Sequence, residues 1–170
     1  MSTPITVKFV SFEHPDALRL CAAQQEEISA VKPIGPGIVA SASNIPIFLV
    51  AYKDEEAVGC GGLRPLGPQG LEGQAEIKRM YVVPSERAHK KRGGRSREIS
   101  GERSKSVALI VLEALEQAAR DQGWMTMKLE TSKAMLDARK FYQKYGYVEC
   151  EEIFGAYQGS DHAVCYEKLL

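Results

Sequence analysis

One connected stretch of this chain holds most of the residues that could do chemistry together. Residues 74–84 (Gln-Ala-Glu-Ile-Lys-Arg-Met-Tyr-Val-Val-Pro) lead into a basic, glycine-bearing loop, and residues 106–119 follow with apolar residues at helical spacing. The stretch reads as strand, loop, helix. Pro84 ends the strand because proline cannot donate to a ladder, and the Ala, Leu and Glu content of the last part favours helix. The excess of Arg and Lys between Arg87 and Lys105 falls at the helix N-terminus. Unpaired backbone N–H groups and the helix dipole both favour an anion there. A carboxylate on the strand, Glu76, stands upstream of that phosphate cradle. The combination suggests a phosphorylated cofactor delivered to a reacting group.

The rest of the chain must position these parts. Residues 5–10 alternate and read as a first strand, and Pro15 opens a helix reaching about residue 29. Residues 31–44 are rich in Pro, Gly and Ser and read as a loop. Residues 47–53 and 57–63 form a predicted hairpin around Asp54-Glu55-Glu56, followed by a strand over 75–83. After the central helix, Gly123 is the expected C-cap and 125–130 returns as a strand, giving a βαβ unit with a parallel pair. A helix over 134–145 is stopped by Gly146, and 147–152 and 163–169 read as two last strands. The expected architecture is α/β (α+β), a mixed sheet with helices on its faces.

Composition narrows the class. The 170 residues suit one domain with a real core. With 22 Lys and Arg against 22 Asp and Glu the net charge is zero, so global charge does not argue for nucleic acid. The basic loop also has few aromatics on which bases could stack. Four cysteines, Cys21, Cys60, Cys150 and Cys165, lack metal-ligand spacing. His14, His89 and His162 are scattered, so no metal is expected. There is no secretory-signal pattern and no apolar run long enough for a bilayer, so a cytoplasmic protein with reduced thiols and no membrane partner is the expectation.

Four blocks in order carry a resemblance to the GNAT superfamily of acetyl-CoA-dependent N-acetyltransferases. They are Phe48-Leu-Val-Ala-Tyr with Ala57-Val-Gly-Cys-Gly-Gly-Leu-Arg64; Ala75-Glu-Ile-Lys-Arg-Met-Tyr-Val82; Arg103–Ala119; and Leu129-Glu-Thr with Ala138-Arg-Lys-Phe-Tyr-Gln-Lys-Tyr-Gly-Tyr147. The resemblance implies a single N-acetyltransferase domain over 1–170, with a mostly antiparallel twisted sheet, a central parallel pair and helices on both faces. It implies acetyl-CoA as co-substrate and transfer to an amine, on a small molecule or peptide, by direct attack in a ternary complex. Family members commonly form homodimers.

Site roles follow from the same resemblance. Glu76 takes the place of the general base, with Glu130 as the alternative, because an ammonium must lose a proton before it can attack. Strand alternation puts Glu76, Lys78, Met80 and Val82 on one face. Main-chain groups of Met80, Tyr81 and Val82 would polarise the thioester carbonyl and align the pantetheine arm. Tyr142 would protonate the departing thiolate, and Ala138 would border the cofactor. The pyrophosphate loop maps onto Arg103, Ser104, Lys105, Ser106, Val107 and Ala108, with Ser106 where the family pattern has glycine. Arg87 matches the family's first loop arginine, so the basic segment within 84–103 reads as an insertion. The structural alternatives are a surface Glu76 paired with Lys78 or Lys128 and a core Tyr142. The functional alternative is a non-catalytic or weakly active acyl-CoA-binding relative with a modified loop. Substrate choice would lie in residues 18–44 and 155–162, neither of which carries a signature.

Overall fold

A computed structural model describes residues 3–31, 40–67, 72–87 and 105–170. Within them, β1 (Thr6–Val10), β2 (Ile47–Lys53), β3 (Glu56–Pro65), β4 (Gln74–Val82), β5 (Thr126–Ser132), β6 (Val148–Glu149) and β7 (Ala163–Leu169) form one sheet. Its order is β1-β2-β3-β4-β5-β7-β6. Every neighbouring pair is antiparallel except β4 and β5, which run parallel across the connection containing α2 (Val107–Asp121). This is the mixed, mostly antiparallel sheet with a central parallel pair that the sequence led us to expect.

Local chemistry sets the elements. Between β2 and β3, Asp54 and Glu55 both take positive φ, 48° and 64°, the backbone of a tight hairpin turn that matches strand twist. α1 (Pro15–Ser29) starts with proline in its first turn, and the His14 side chain accepts from the Asp16 N–H. Ala17, Leu20 and Cys21 of α1 pack with Phe12, Ile45, Phe48, Val50 and Cys60 on one face of the sheet. The stripe Val107, Val111, Leu112, Leu115 and Ala119 of α2 packs on the other face with Leu49, Leu63, Ala75, Ile77 and Met127. α3 (Leu136–Lys144) lies on that second face through Tyr142, Ala138 and Phe141. Strands β2 and β3, covered on both sides, are buried through most of their length.

Two elements are shorter than their patterns. β6 has two residues rather than 147–152, because Tyr147 turns into the core and only one further bond, Cys150 N–H to the Cys165 carbonyl, continues the pairing. α3 begins at Leu136 rather than residue 134, since Ser132 Oγ and the Ser132 carbonyl hold the N–H groups of Ala134 and Met135 in a preceding turn.

A larger difference concerns β4. Lys78 faces Gly62 and Tyr81 faces Cys60, so Arg79 and Met80 together oppose Gly61. Arg79 has φ 57°. This is a β-bulge, and it shifts side-chain parity by one residue. Ala75 and Ile77 face α2 before it; Met80 and Val82 face α2 after it. Glu76 and Lys78 therefore lie on the α1 face, opposite Met80 and Val82, and the single face expected from alternation is corrected.

The glycines of β3 admit close neighbours. A Cβ on Gly62 would lie 2.5 Å from Ile45 Cγ2, 2.6 Å from Phe48 Cδ2 and 3.0 Å from the Ile47 carbonyl oxygen. The Gly62→Ala variant should lose about 2 kcal/mol in denaturant unfolding, because a strand backbone atom cannot yield as a side-chain tip can.

Candidate active site

The parallel ladder between β4 and β5 runs through three pairs, Gln74–Thr126, Ala75–Met127 and Glu76–Lys128, and ends there. Just beyond it the bulge turns β4, and the two strands part. The gap is a cleft of about 150 Å³ lined by Ile77, Arg79 and Met80 of β4, by Leu129–Ser132 of β5, by Gln24 and Ile28 of α1, and by Met135, Ala138 and Tyr142 at α3. Because α1 and α3 cover opposite faces, the cleft passes between the strands from one side of the sheet to the other. Main-chain groups at the bulge are held from the α1 side: Gln24 Nε2 donates to the Met80 carbonyl at 2.9 Å, and Cys60 Sγ donates to the Arg79 carbonyl at 3.3 Å.

Tyr142 reaches the cleft from α3. Its hydroxyl donates to Met80 Sδ at 3.3 Å, and its ring meets Phe141 and Tyr147 edge-on. Burial pushes the phenol well above its ordinary pKa, so it keeps its proton through neutral and mildly alkaline pH. A thioether is a weak acceptor, and the proton remains available to a stronger one. The sequence placed Met80 and Tyr142 in separate blocks; the structure brings them into contact.

Glu76 is fully buried and lies beside the cleft rather than in its lining. Its Oε2 accepts from Arg64 Nε at 3.1 Å and Nη2 at 2.7 Å. Its Oε1 accepts from the Tyr157 hydroxyl at 2.7 Å and from Lys78 Nζ at 3.4 Å, while Lys78 also donates to the Tyr157 oxygen. Burial first, and then the negative charge of Glu76, push the Tyr157 phenol up. Proton acceptance needs a lone pair turned toward the substrate, and both oxygens here are committed to cations and a phenol. Glu130 of β5 lines the cleft.

The phosphate-loop residues divide. Arg103 and Ser104 lie outside the described residues. Lys105 pairs with Glu113 at 2.7 Å on the surface. Ser106 is the N-cap of α2, its hydroxyl accepting from the Leu109 N–H at 3.3 Å. Its φ is −67°, so no glycine is needed at that position. Val107 is a core residue, and half-buried Ala108 packs at the core edge. Both N–H groups precede the first intrahelical bond of α2. Arg87 is engaged elsewhere: it grips Glu27 of α1 at 2.6 and 2.8 Å, donates to the Val82 carbonyl and lies over the Tyr81 ring. The Arg87 hydrogen bond holds the Glu27 carboxyl below its ordinary range.

Sequence reasoning gave no role to Arg64, Gln24 or Tyr157. Gln24 had a readable signal, since it continues the stripe Ala17, Leu20, Cys21 and Ile28 where an apolar residue is expected. Tyr157 had none beyond its place in the segment 155–162. Among the described residues, no group of His, Cys, Asp or Glu could hold a metal, and no helix is long and apolar enough to cross a membrane.

Removing the buried carboxylate leaves two cations without their counter-charge. Glu76→Ala should therefore cost about 3 kcal/mol in chemical denaturation, as breaking a buried ion pair does. Ser106→Ala should cost about 1 kcal/mol and Ser106→Gly only a few tenths.

No family model matches the chain. Over 123 residues it is 32% identical to an IAA acetyltransferase of Azospirillum brasilense, covering 72% of this chain and 67% of that protein. A GNAT-family acetyltransferase from Staphylococcus aureus superposes with TM-score 0.69 at 16% identity, over 97% of this chain and 99% of the other. The PaiA N-acetyltransferase of Thermoplasma acidophilum, crystallised with coenzyme A, superposes with TM-score 0.65 at 19% identity, over 98% and 99%. A sheet split at its parallel pair, a tyrosine aimed into the split and this likeness in sequence and fold agree: the chain belongs to the GNAT superfamily of N-acetyltransferases.

Proposed function

We propose that this protein transfers an acetyl group from acetyl-CoA to a primary amine by direct attack in a ternary complex. The observation that carries the reading is the cleft between β4 and β5, lined by helices from both faces of the sheet. Two reactants can approach its centre from opposite sides without crossing, which sets them close and oriented.

The residues present suit the cofactor. The N–H groups of Val107 and Ala108 at the start of α2 suit a pyrophosphate. The β5-facing edge of β4 around Met80–Val82, past the last paired residue, suits an extended arm that bonds like a strand. Ala138 leaves room on α3 beside that edge. Acetyl-CoA supplies the acetyl group as a thioester, whose carbonyl carbon an amine can attack. Main-chain N–H groups near Met80 would polarise that carbonyl, and the Gln24 and Cys60 contacts fix the backbone that bears them. Tyr142 holds a proton that rests against Met80 Sδ in the cleft and would pass it to the leaving thiolate.

Of the two carboxylates, Glu130 is the better placed to take the amine proton, directly or through water, since it lines the cleft. Glu76 fixes Lys78 and Tyr157 beside the acceptor's entry and sets the charge there. The reading in which the chain only binds acyl-CoA drew on Ser106, and the unstrained N-cap backbone of that serine weakens it.

Three measurements test the proposal. Millimolar acetyl-CoA should raise the thermal midpoint, because a ligand of the native state stabilises it by mass action; no shift counts against cofactor use. Tyr142→Phe should lower kcat by about 100-fold with both KM values little changed, and Glu130→Gln should lower it comparably. The raised Tyr142 pKa means that deprotonation of this residue should not cut the rate below about pH 10. Equal activity of wild type and both variants across pH would refute the assigned chemistry.

A further inference from the structure

Among the described residues, two buried side-chain polar atoms have no hydrogen-bond partner, Gln24 Oε1 and Gln74 Oε1. Gln74 begins β4, where that strand is still paired to β5, and does not line the cleft. Gln24 does line it. Its amide orientation is fixed by its own contact: Nε2 donates to the Met80 carbonyl at 2.9 Å, and the flipped amide would set oxygen against oxygen. The remaining oxygen is a buried acceptor without a partner, on a residue that lines the cleft. A buried acceptor without a donor costs stability, and a ligand N–H would remove that cost.

We propose that Gln24 Oε1 receives an N–H of the acceptor amine and thereby selects primary amines. This rests on the acetyl-transfer reading above. A neutral primary amine has one lone pair and two N–H bonds. The lone pair forms the new C–N bond as the C–S bond breaks. One N–H proton leaves to Glu130, and the Tyr142 proton goes to sulfur. The second N–H stays on nitrogen throughout and needs an acceptor, which Gln24 supplies from the α1 side of the cleft while Glu130 stands on β5. A secondary amine has a single N–H, which the base must take, and Gln24 Oε1 then remains unpaired. Sites built to hydrogen-bond a substrate N–H discriminate strongly against analogues that lack it. Gln24 acts here as a positioning and specificity residue, and it shares its amide with the backbone carbonyl next to the transfer site.

The test uses the full-length protein with a panel of alkylamines, amino acids and polyamines, each paired with its N-methyl counterpart. For the primary amine acetylated fastest, wild type should prefer it over the N-methyl form by about 100-fold in kcat/KM. Gln24→Met should raise the amine KM by about 10-fold and compress that preference below about 10-fold, while its acetyl-CoA KM should match that of Gln24→Glu, which gives up the same donor to Met80. Gln24→Glu, which keeps an acceptor oxygen but gives up the donor to Met80, should retain the preference. A Gln24→Met enzyme with the wild-type preference overturns the inference. So does a rise confined to the acetyl-CoA KM, which would assign Oε1 to an amide N–H of the pantetheine arm. A lower thermal midpoint with unchanged preference would mark Gln24 as structural and overturn it as well. Wild type that is stabilised by acetyl-CoA yet acetylates no amine would overturn the transfer reading and this inference together; failure of the Gln24 variants alone leaves the transfer reading standing.

Discussion

Arg79 adopts a left-handed backbone in the middle of a central strand, and much of the site geometry follows from that one residue. Such a conformation costs about 1–2 kcal/mol for a residue with a Cβ. Here it is held by contacts to the adjacent carbonyls, from Cys60 Sγ to Arg79 and from Gln24 Nε2 to Met80. Its first consequence is geometric: two residues of β4 oppose one of β3, and the parallel pairing with β5 ends three residues upstream. The second concerns side chains. Met80 turns toward Tyr142 on the α3 side, while Glu76 and Lys78 stay on the α1 side. Without the bulge, Met80 would share a face with Glu76, and its sulfur would not meet the tyrosine.

The two walls of the opening are fastened by charge, in environments that differ. On the α1 side of β4, Arg64 and Lys78 close on a carboxylate with no exposure, and Tyr157 joins them from the segment before β7. That network is stable only while complete, since each ion lost leaves another buried without its partner. The Arg87–Glu27 pair that ties the chain after β4 to α1 is about 40% exposed on both partners. Surface pairs of this kind contribute little on their own, so its function is to set position. On the β5 wall, Lys128 pairs with Glu167 of β7 and lies over the Phe154 ring.

Much of this fold was legible in the sequence. Pro15 and the apolar spacing after it marked α1, and the strands read over 47–53 and 163–169 are β2 and β7 at their observed bounds. The family blocks pointed to the central parallel pair, and Met80, Ala138 and Tyr142 line one cleft beyond it. What the sequence did not reveal is what depends on one local deviation. Alternation assumes an unbroken strand, and no residue type announces a bulge at an arginine. The same limit hid the partners of Glu76, since Arg64 and Tyr157 come from segments 12 and 81 residues away. Ser106 looked like a defect in a glycine pattern. It is better understood as a helix cap, a role that serine before an apolar run does signal. Arg103, Ser104 and most of the basic insertion lie outside the described residues.

The central claim is that donor and acceptor meet inside one opening in the sheet, approached from its two faces, so that transfer is direct. Initial rates measured while varying acetyl-CoA and the acceptor amine together test it most directly. Double-reciprocal plots that intersect, with no coenzyme A released in the absence of amine, are the predicted result. Parallel lines with a burst of coenzyme A before amine is added would mean a covalent acetyl-enzyme and would contradict it.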